Sequence, residues 1–247
     1  MINLSVNINK IALIRNSRPG NYPDLVNWAK KLVTLGANGI TIHPRPDQRH
    51  IRAEDAILLK NALHTTELNI EGNPFATYCP SNDPVIADYP GFMEIIREVK
   101  PAQCTLVPDT SQQKTSDHGF NLKKDHQLIP IIEELKALNI RTSLFMDADK
   151  EQIYLASQLG VDRIELYTGP YAQSPDANTF RTYQESAEQA LACGLGINAG
   201  HDLNLQNLPL FKTLIGLEEV SIGHALTVEA LESGIEQTIK AYLALLA

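Results

Sequence analysis

Eight short apolar runs, each followed by a longer segment, constrain this chain more than any other feature. They are LSVNI (4–8), GITIH (39–43), ELNIE (67–71), QCTLV (103–107), RTSLFM (141–146), RIELYT (163–168), LGINA (195–199) and EVSIG (219–223). Most read as apolar at successive positions, the pattern of parallel strands covered on both faces. Between them, Leu25, Trp28, Ala29, Leu32 and Leu35 recur at helical spacing, and Gly36 follows as a stop. Ile57, Leu58 and Leu63 mark a second helix, and Phe92, Ile95, Ile96 and Val99 a third that Pro101 closes. A longer helix is predicted over 123–138, with a kink at Pro130. Further helices are predicted after Asp149, Asp176, Leu203 and His224. Eight strand–helix units predict the α/β class and a closed (β/α)8 barrel of TIM type, with extra helical and loop excursions. A doubly wound open sheet is the runner-up, but it more often has fewer strands. The 247 residues contain no linker or low-complexity tract, so residues 1–247 read as a single barrel domain. The longest irregular stretch, 71–91, carries four prolines and reads as an ordered surface excursion.

Barrels of this type place their active sites at the C-terminal ends of the strands. The residues following each strand are therefore informative. Strand one leads to Asn7, Asn9 and Lys10, then Arg15 and Arg18. Strand two leads to His43, Arg45, Arg49 and His50. Strand three ends in Glu71, and Thr115 lies in the loop after strand four. Strand six holds Glu165, strand seven leads to His201 and Asp202, and strand eight to Gly223 and His224. Taken singly, each has a bland reading: a solvated arginine, a satisfied core histidine, a structural ion pair. Their joint placement at one mouth points to a catalytic rim.

The chain is acidic, with 21 Lys+Arg against 29 Asp+Glu and a formal charge of −8. That argues against a nucleic-acid partner, which needs a basic face. Local basic clusters become more informative for the same reason. Arginines and helix N-termini bind phosphate through directed N–H donors. The Arg-rich loop after strand two and the SIGHA turn after strand eight thus predict two phosphorylated groups or one bisphosphate. Glu71, His43 and His201 lie between them and are suited to moving protons. No dinucleotide glycine fingerprint or H-E-x-x-H pattern is present, so neither a nucleotide cofactor nor a metal is expected. Three cysteines without a C-x-x-C favour a reducing compartment. No signal peptide and no apolar stretch near the roughly 20 residues of a membrane span are visible, so a soluble cytoplasmic protein is expected.

The segments VNINKIALIRNSRPG, GITIHPRPDQRHI, LNIE, LVPD, KTSDHG, SLFMDAD, IELYTGPYA, NAGHDLN and SIGHAL together resemble the pyridoxine 5′-phosphate synthase family. The match is collinear from about Leu4 to Ala225. The resemblance implies a (β/α)8 barrel assembled as a homo-octamer and working without an external cofactor. It implies condensation of 1-deoxy-D-xylulose 5-phosphate with 3-amino-2-oxopropyl phosphate, giving pyridoxine 5′-phosphate, inorganic phosphate and water. By position, His43 and Glu71 would be the general acid/base residues, His201 a proton donor and Glu165 a transition-state stabiliser. Arg45, His50 and Thr115 would hold deoxyxylulose phosphate. Asn7 and Arg18 would contact the amino-ketone phosphate, whose phosphate Gly223 and His224 would bind. Three departures stand out. Asn9-Lys10 replaces Asp-His, Asp202 replaces a glycine, and the stretch between Glu71 and Pro101 is longer. The competing readings are another phosphate-handling barrel enzyme, an isomerase or aldolase, and a non-catalytic barrel that binds a phosphorylated metabolite.

Overall fold

Within each run the side chains alternate. Leu4, Val6, Ile40, Ile42, Ile70, Leu144, Ile164, Leu166, Ile197 and Val220 are all buried and join one apolar cluster with the helices. The residues between them, Ser5, Thr41, Asn69, Gln103, Thr105, Ser143, Asn198 and Glu219, are equally buried but polar. Successive strand residues point to opposite faces, so one face of the sheet is apolar and the other polar. This corrects the reading of the strands as apolar throughout.

The computed structural model describes residues 1–110, 112–124 and 127–247. Its order is β1 (Asn3–Asn7), α1 (Asn9–Asn16), α2 (Leu25–Thr34), β2 (Gly39–Ile42), α3 (Ala53–Ala62), β3 (Glu67–Gly72), α4 (Phe92–Val99), β4 (Gln103–Leu106) and α5 (Leu128–Ala137). There follow β5 (Arg141–Met146), α6 (Lys150–Leu159), β6 (Arg163–Tyr167), α7 (Gly169–Gln173), α8 (Ala177–Ala192), β7 (Gly196–Gly200), α9 (Leu208–Phe211), β8 (Leu217–Ile222), α10 (His224–Ser233) and α11 (Ile235–Leu246). The strands close in sequence order, each parallel to the next, and β8 returns to β1. This is the (β/α)8 barrel.

The polar face lines the barrel axis. Asn198 on β7 donates to Gln103 on β4 at 3.3 Å, across the interior, and to Glu219 at 3.2 Å. Ser5 and Thr41 bond at 2.7 Å, and Thr105 donates to Asn69 at 3.0 Å. Buried polar groups are tolerable when paired in this way. The next inward positions toward the C-terminal mouth are Asn7, Glu71 and Glu165, so the interior network leads directly into the site.

The helices follow their caps. Asp24 accepts from Asn27 N at 2.7 Å to start α2, Asp149 starts α6 and Asp176 starts α8. The helix expected over 123–138 begins at Leu128, so Pro130 falls in the first turn, where its missing N–H costs nothing. Positions 125 and 126 of that expected helix lie outside the described residues. The segment between β3 and α4 carries an antiparallel bridge between Cys79 and Tyr89. It packs onto the loop after β2, where Ala87 O accepts from Gln48 at 2.7 Å and Pro44 O accepts from Tyr89 at 3.4 Å. These two contacts flank Arg45.

Candidate active site

A cavity of about 390 Å³ opens at the C-terminal mouth of the barrel. Most of the rim residues predicted at the strand ends line it: Asn7, Asn9, Lys10, His43, Arg45, His50, Glu71, Thr115, Glu165, His201, Asp202, Gly223 and His224. Arg18 does not. Helix α1 intervenes between β1 and Arg18, carrying it roughly 12 Å along an eight-residue helix, and it ends exposed. Its neighbour Arg15 is buried and structural. Its guanidinium grips Asp55 at 2.6 and 2.9 Å, and Asp55 also caps α3 through Arg52 N at 2.8 Å. Arg15 and Asn16 both donate to the His50 carbonyl, at 3.1 and 2.7 Å. Helix α1 thus fixes the segment that presents His50.

His43 sits at the end of β2 with its backbone N–H donated to Asn9 Oδ1 at 3.0 Å. Its Nε2 lies 3.3 Å from Asp109 and its Nδ1 3.8 Å from Glu71. Burial, then the charges of Arg45, His50 and Arg49, holds its pKa well below the usual histidine range, so the ring is neutral at pH 7. The carboxylate beside Nε2 favours the proton there and leaves the Nδ1 lone pair facing Glu71. Burial pushes Glu71 well above the usual carboxyl range, with Glu165, Asp109 and Glu219 adding to the rise. A neutral imidazole therefore faces a carboxyl whose protonated form is favoured by burial. The imidazole can take a proton at Nδ1, and the carboxyl, whose charged form burial disfavours, can give one.

Glu165 is pushed to about 8 by burial and then by Glu219. It packs against β7 so closely that a Cβ on Gly200 would lie 2.3 Å from its Oε1. That contact explains why position 200 has no side chain. Similarly, a Cβ on Gly223 would meet Asn7 at 3.0 to 3.2 Å. Helix α10 begins at His224 immediately after it. The first N–H groups of a helix have no partners within it, and here Gly223 and His224 line the cavity, an arrangement that suits an anion.

His50 accepts from Ile51 N at its Nδ1, 2.9 Å away. Its proton is thus on Nε2, and burial with the nearby charges of Arg45, Arg49 and Lys10 lowers its pKa to about 3. It is a neutral donor. Arg49 donates to the carbonyls of Gln113 and Lys114, at 2.7 and 3.2 Å, and ties the loop after β2 to the loop carrying Thr115.

The residue that sequence reasoning missed is Asp109. It is buried, paired with Arg45, and accepts from Ser116 Oγ at 3.0 Å. Burial pushes its carboxyl up, and the Arg45 guanidinium opposes this. The available signal was the Pro-Asp directly after an apolar strand, in the same place as His-Pro-Arg after β2. Ser116, Lys114, Phe145, Val107 and Ser221 complete the wall. Among the described residues, no three His, Cys, Asp or Glu side chains are grouped to hold a metal ion.

A family model described as pyridoxal phosphate biosynthesis protein PdxJ matches residues 4–247. The chain belongs to that family. It is 51% identical over 254 aligned positions to a pyridoxine 5′-phosphate synthase of Xanthomonas campestris pv. campestris, covering 99% of this chain and 96% of the relative. A pyridoxine 5′-phosphate synthase of Christiangramia forsetii is 48% identical, with both chains covered completely. Among solved structures, a tryptophan synthase α-subunit from Pyrococcus furiosus superposes with a TM-score of 0.61 at 12% identity, covering 98% of this chain and 97% of that one. This last likeness concerns the barrel alone.

Proposed function

We infer that this chain is a pyridoxine 5′-phosphate synthase of vitamin B6 biosynthesis. It condenses 1-deoxy-D-xylulose 5-phosphate with 3-amino-2-oxopropyl phosphate and releases pyridoxine 5′-phosphate, inorganic phosphate and water. The observation that carries the reading is the buried His43–Glu71 pair, 3.8 Å apart, set between two anion-suited ends of one cavity. Arg45, His50 and Thr115 form one end, the start of α10 with Asn7 the other. Forming a ring from an amine and two ketones requires repeated proton transfers and losses of water. Holding both phosphates turns the encounter into a local step between positioned partners.

His43 accepts the proton as the amine adds to the ketone, and Glu71 donates as water leaves. Each then holds what the next step requires. Glu165, protonated at neutral pH, donates to negative charge developing on a substrate oxygen. Lys10, in the place of the family histidine, supplies a flexible ammonium to the deoxyxylulose phosphate end. The proposal includes the octamer and the cytoplasmic setting that the family resemblance implies. No helix of the described chain is long and apolar enough to cross a membrane. Incubating the purified chain with the two substrates tests the reading: pyridoxine 5′-phosphate and inorganic phosphate should appear together. Absence of both, with a folded protein, would refute it.

A further inference from the structure

The turn after β7 is strained. His201 and Asp202 have φ of 89° and 58°, a left-handed region that non-glycine residues enter at a cost. Neighbouring side chains hold them there. Thr168 Oγ1 donates to the Gly200 carbonyl at 2.6 Å and to the His201 carbonyl, and Asn207 Nδ2 donates to the Asp202 carbonyl at 3.1 Å. The conformation folds the Asp202 carboxylate back onto the preceding ring. Its Oδ2 lies 3.0 Å from His201 Nδ1, while His201 Nε2 lies 2.6 Å from Thr115 Oγ1. The ring edge also rests on Tyr167, with centroids 5.3 Å apart at 75°. The imidazole is fixed on three sides.

A carboxylate only accepts, so Nδ1 carries a proton and Nε2 is the nitrogen left to work toward the cavity. We propose that Asp202 is a positioning residue for His201, holding the Nδ1–H tautomer and the ring plane so that Nε2 exchanges protons with substrate beside the Thr115 hydroxyl. Nε2 takes a proton from solvent, making an imidazolium beside the ionised Asp202, and gives that proton to the departing oxygen, which returns the ring to the Nδ1–H form. The hydrogen bond from His201, followed by the charges of His201, His224 and Lys10, holds the Asp202 carboxyl below its usual range. Being so partnered, this carboxylate can stand at the mouth of an anion site without facing the substrate. The inference rests on the synthase reading above for its kinetic consequence and on geometry alone for the tautomer.

Asp202→Gly and Asp202→Asn test it, because glycine and asparagine tolerate positive φ and both variants should fold. Turnover is measured with each substrate varied in turn, and the imidazole tautomers are read by ¹⁵N NMR on histidine-labelled chain. Asp202→Gly should lower kcat about tenfold, leave both KM values within about threefold, and release His201 from the Nδ1–H tautomer. Asp202→Asn, whose amide oxygen still accepts, should recover part of both effects. Unchanged kcat with a lowered KM for one substrate would overturn the inference, making Asp202 only a charge beside the substrate. An unchanged tautomer in Asp202→Gly would overturn it as well. Failure of the unaltered chain to make product would sink the synthase reading, and the tautomer comparison would still decide the Asp202–His201 relation.

Discussion

Replacing Asp109 by Asn should damage stability and turnover together. The carboxylate contacts three groups: the Arg45 guanidinium, Ser116 Oγ at 3.0 Å and His43 Nε2 at 3.3 Å. Side-chain exposure is 6% for Arg45 and 5% for Asp109, so water cannot replace the lost charge. Removing one partner of a buried pair costs roughly 3 to 5 kcal/mol. Asn can still accept one hydrogen bond, which favours the low end, about 3 kcal/mol. For a chain of this length each kcal/mol moves Tm by about 2 to 4 °C, so Tm should fall by about 6 to 12 °C. The assay is a thermal melt beside steady-state kinetics. The catalytic loss should reach at least about 10²-fold, because His43 loses the group that sets its tautomer. A second variant separates the two effects. Arg45→Met with Asp109→Leu leaves no buried charge unpaired and should regain most of the Tm, while activity stays lost. A single Asp109→Asn chain melting within about 2 °C of the unaltered one would refute the buried-pair argument.

Glu71→Gln should keep the fold and both KM values but lower kcat by ~10² to 10⁴; kinetics within a few-fold of the unaltered chain would remove Glu71 from the mechanism. Lys10→Ala should lower kcat/KM for deoxyxylulose phosphate about tenfold or more, and an unchanged value would return Lys10 to a surface role. Gly223→Val should raise KM mainly for the amino-ketone phosphate, because the new Cβ would meet Asn7 at 3.0 Å; equal rises for both substrates would contradict separate anion ends. The buried acids also set a pH dependence. Burial raises Glu219 from 4.5 to about 7, so the folded state holds a proton that the unfolded state gives up. Its contribution is complete below pH 4.5 and is lost as pH rises through 7, amounting to about 3 kcal/mol. Glu219→Gln should therefore flatten the fall in Tm between pH 5 and 8, and an unflattened curve would argue that Glu219 is ionised in the fold.

The barrel was legible because it rests on local pattern. Each expected strand agrees with the observed one to within two residues at either end, since a short apolar-rich run bounded by polar and turn residues marks where the sheet begins and stops. The interior was less legible. Ser5, Thr41 and Asn69 look like weak points in apolar runs until closure of the barrel gives each a partner on another strand. Long-range pairing also separates Arg15 from Arg18. Both are basic residues after β1, but Asp55, forty positions away, makes Arg15 a structural anchor. Asp109 stayed hidden for the same reason: its partner Arg45 is 64 positions distant. The placement of His43 and Glu71 at the mouth follows from their own strand ends, so it could be read directly.

Burial also reconciles the acidity of the chain with the anion binding proposed for its site. Counted by formal charge, the carboxylates at the mouth, Asp109, Glu71, Glu165 and Asp202, outnumber the cations Lys10, Arg45 and Lys114. The balance changes once desolvation is included. Burial holds Glu71 well above the usual carboxyl range and Glu165 near 8, so the negative charge they present to the mouth is reduced. Asp109 and Asp202 each stand against a basic side chain. Three cations then face two carboxylates that already have partners, and His43 and His50 add neutral nitrogens. The depth that makes Glu71 and Glu165 useful as proton donors is therefore the same depth that removes their charge from the path of an arriving phosphate. If either were ionised in the resting state, the mouth would repel its proposed substrates and the acid would already be spent.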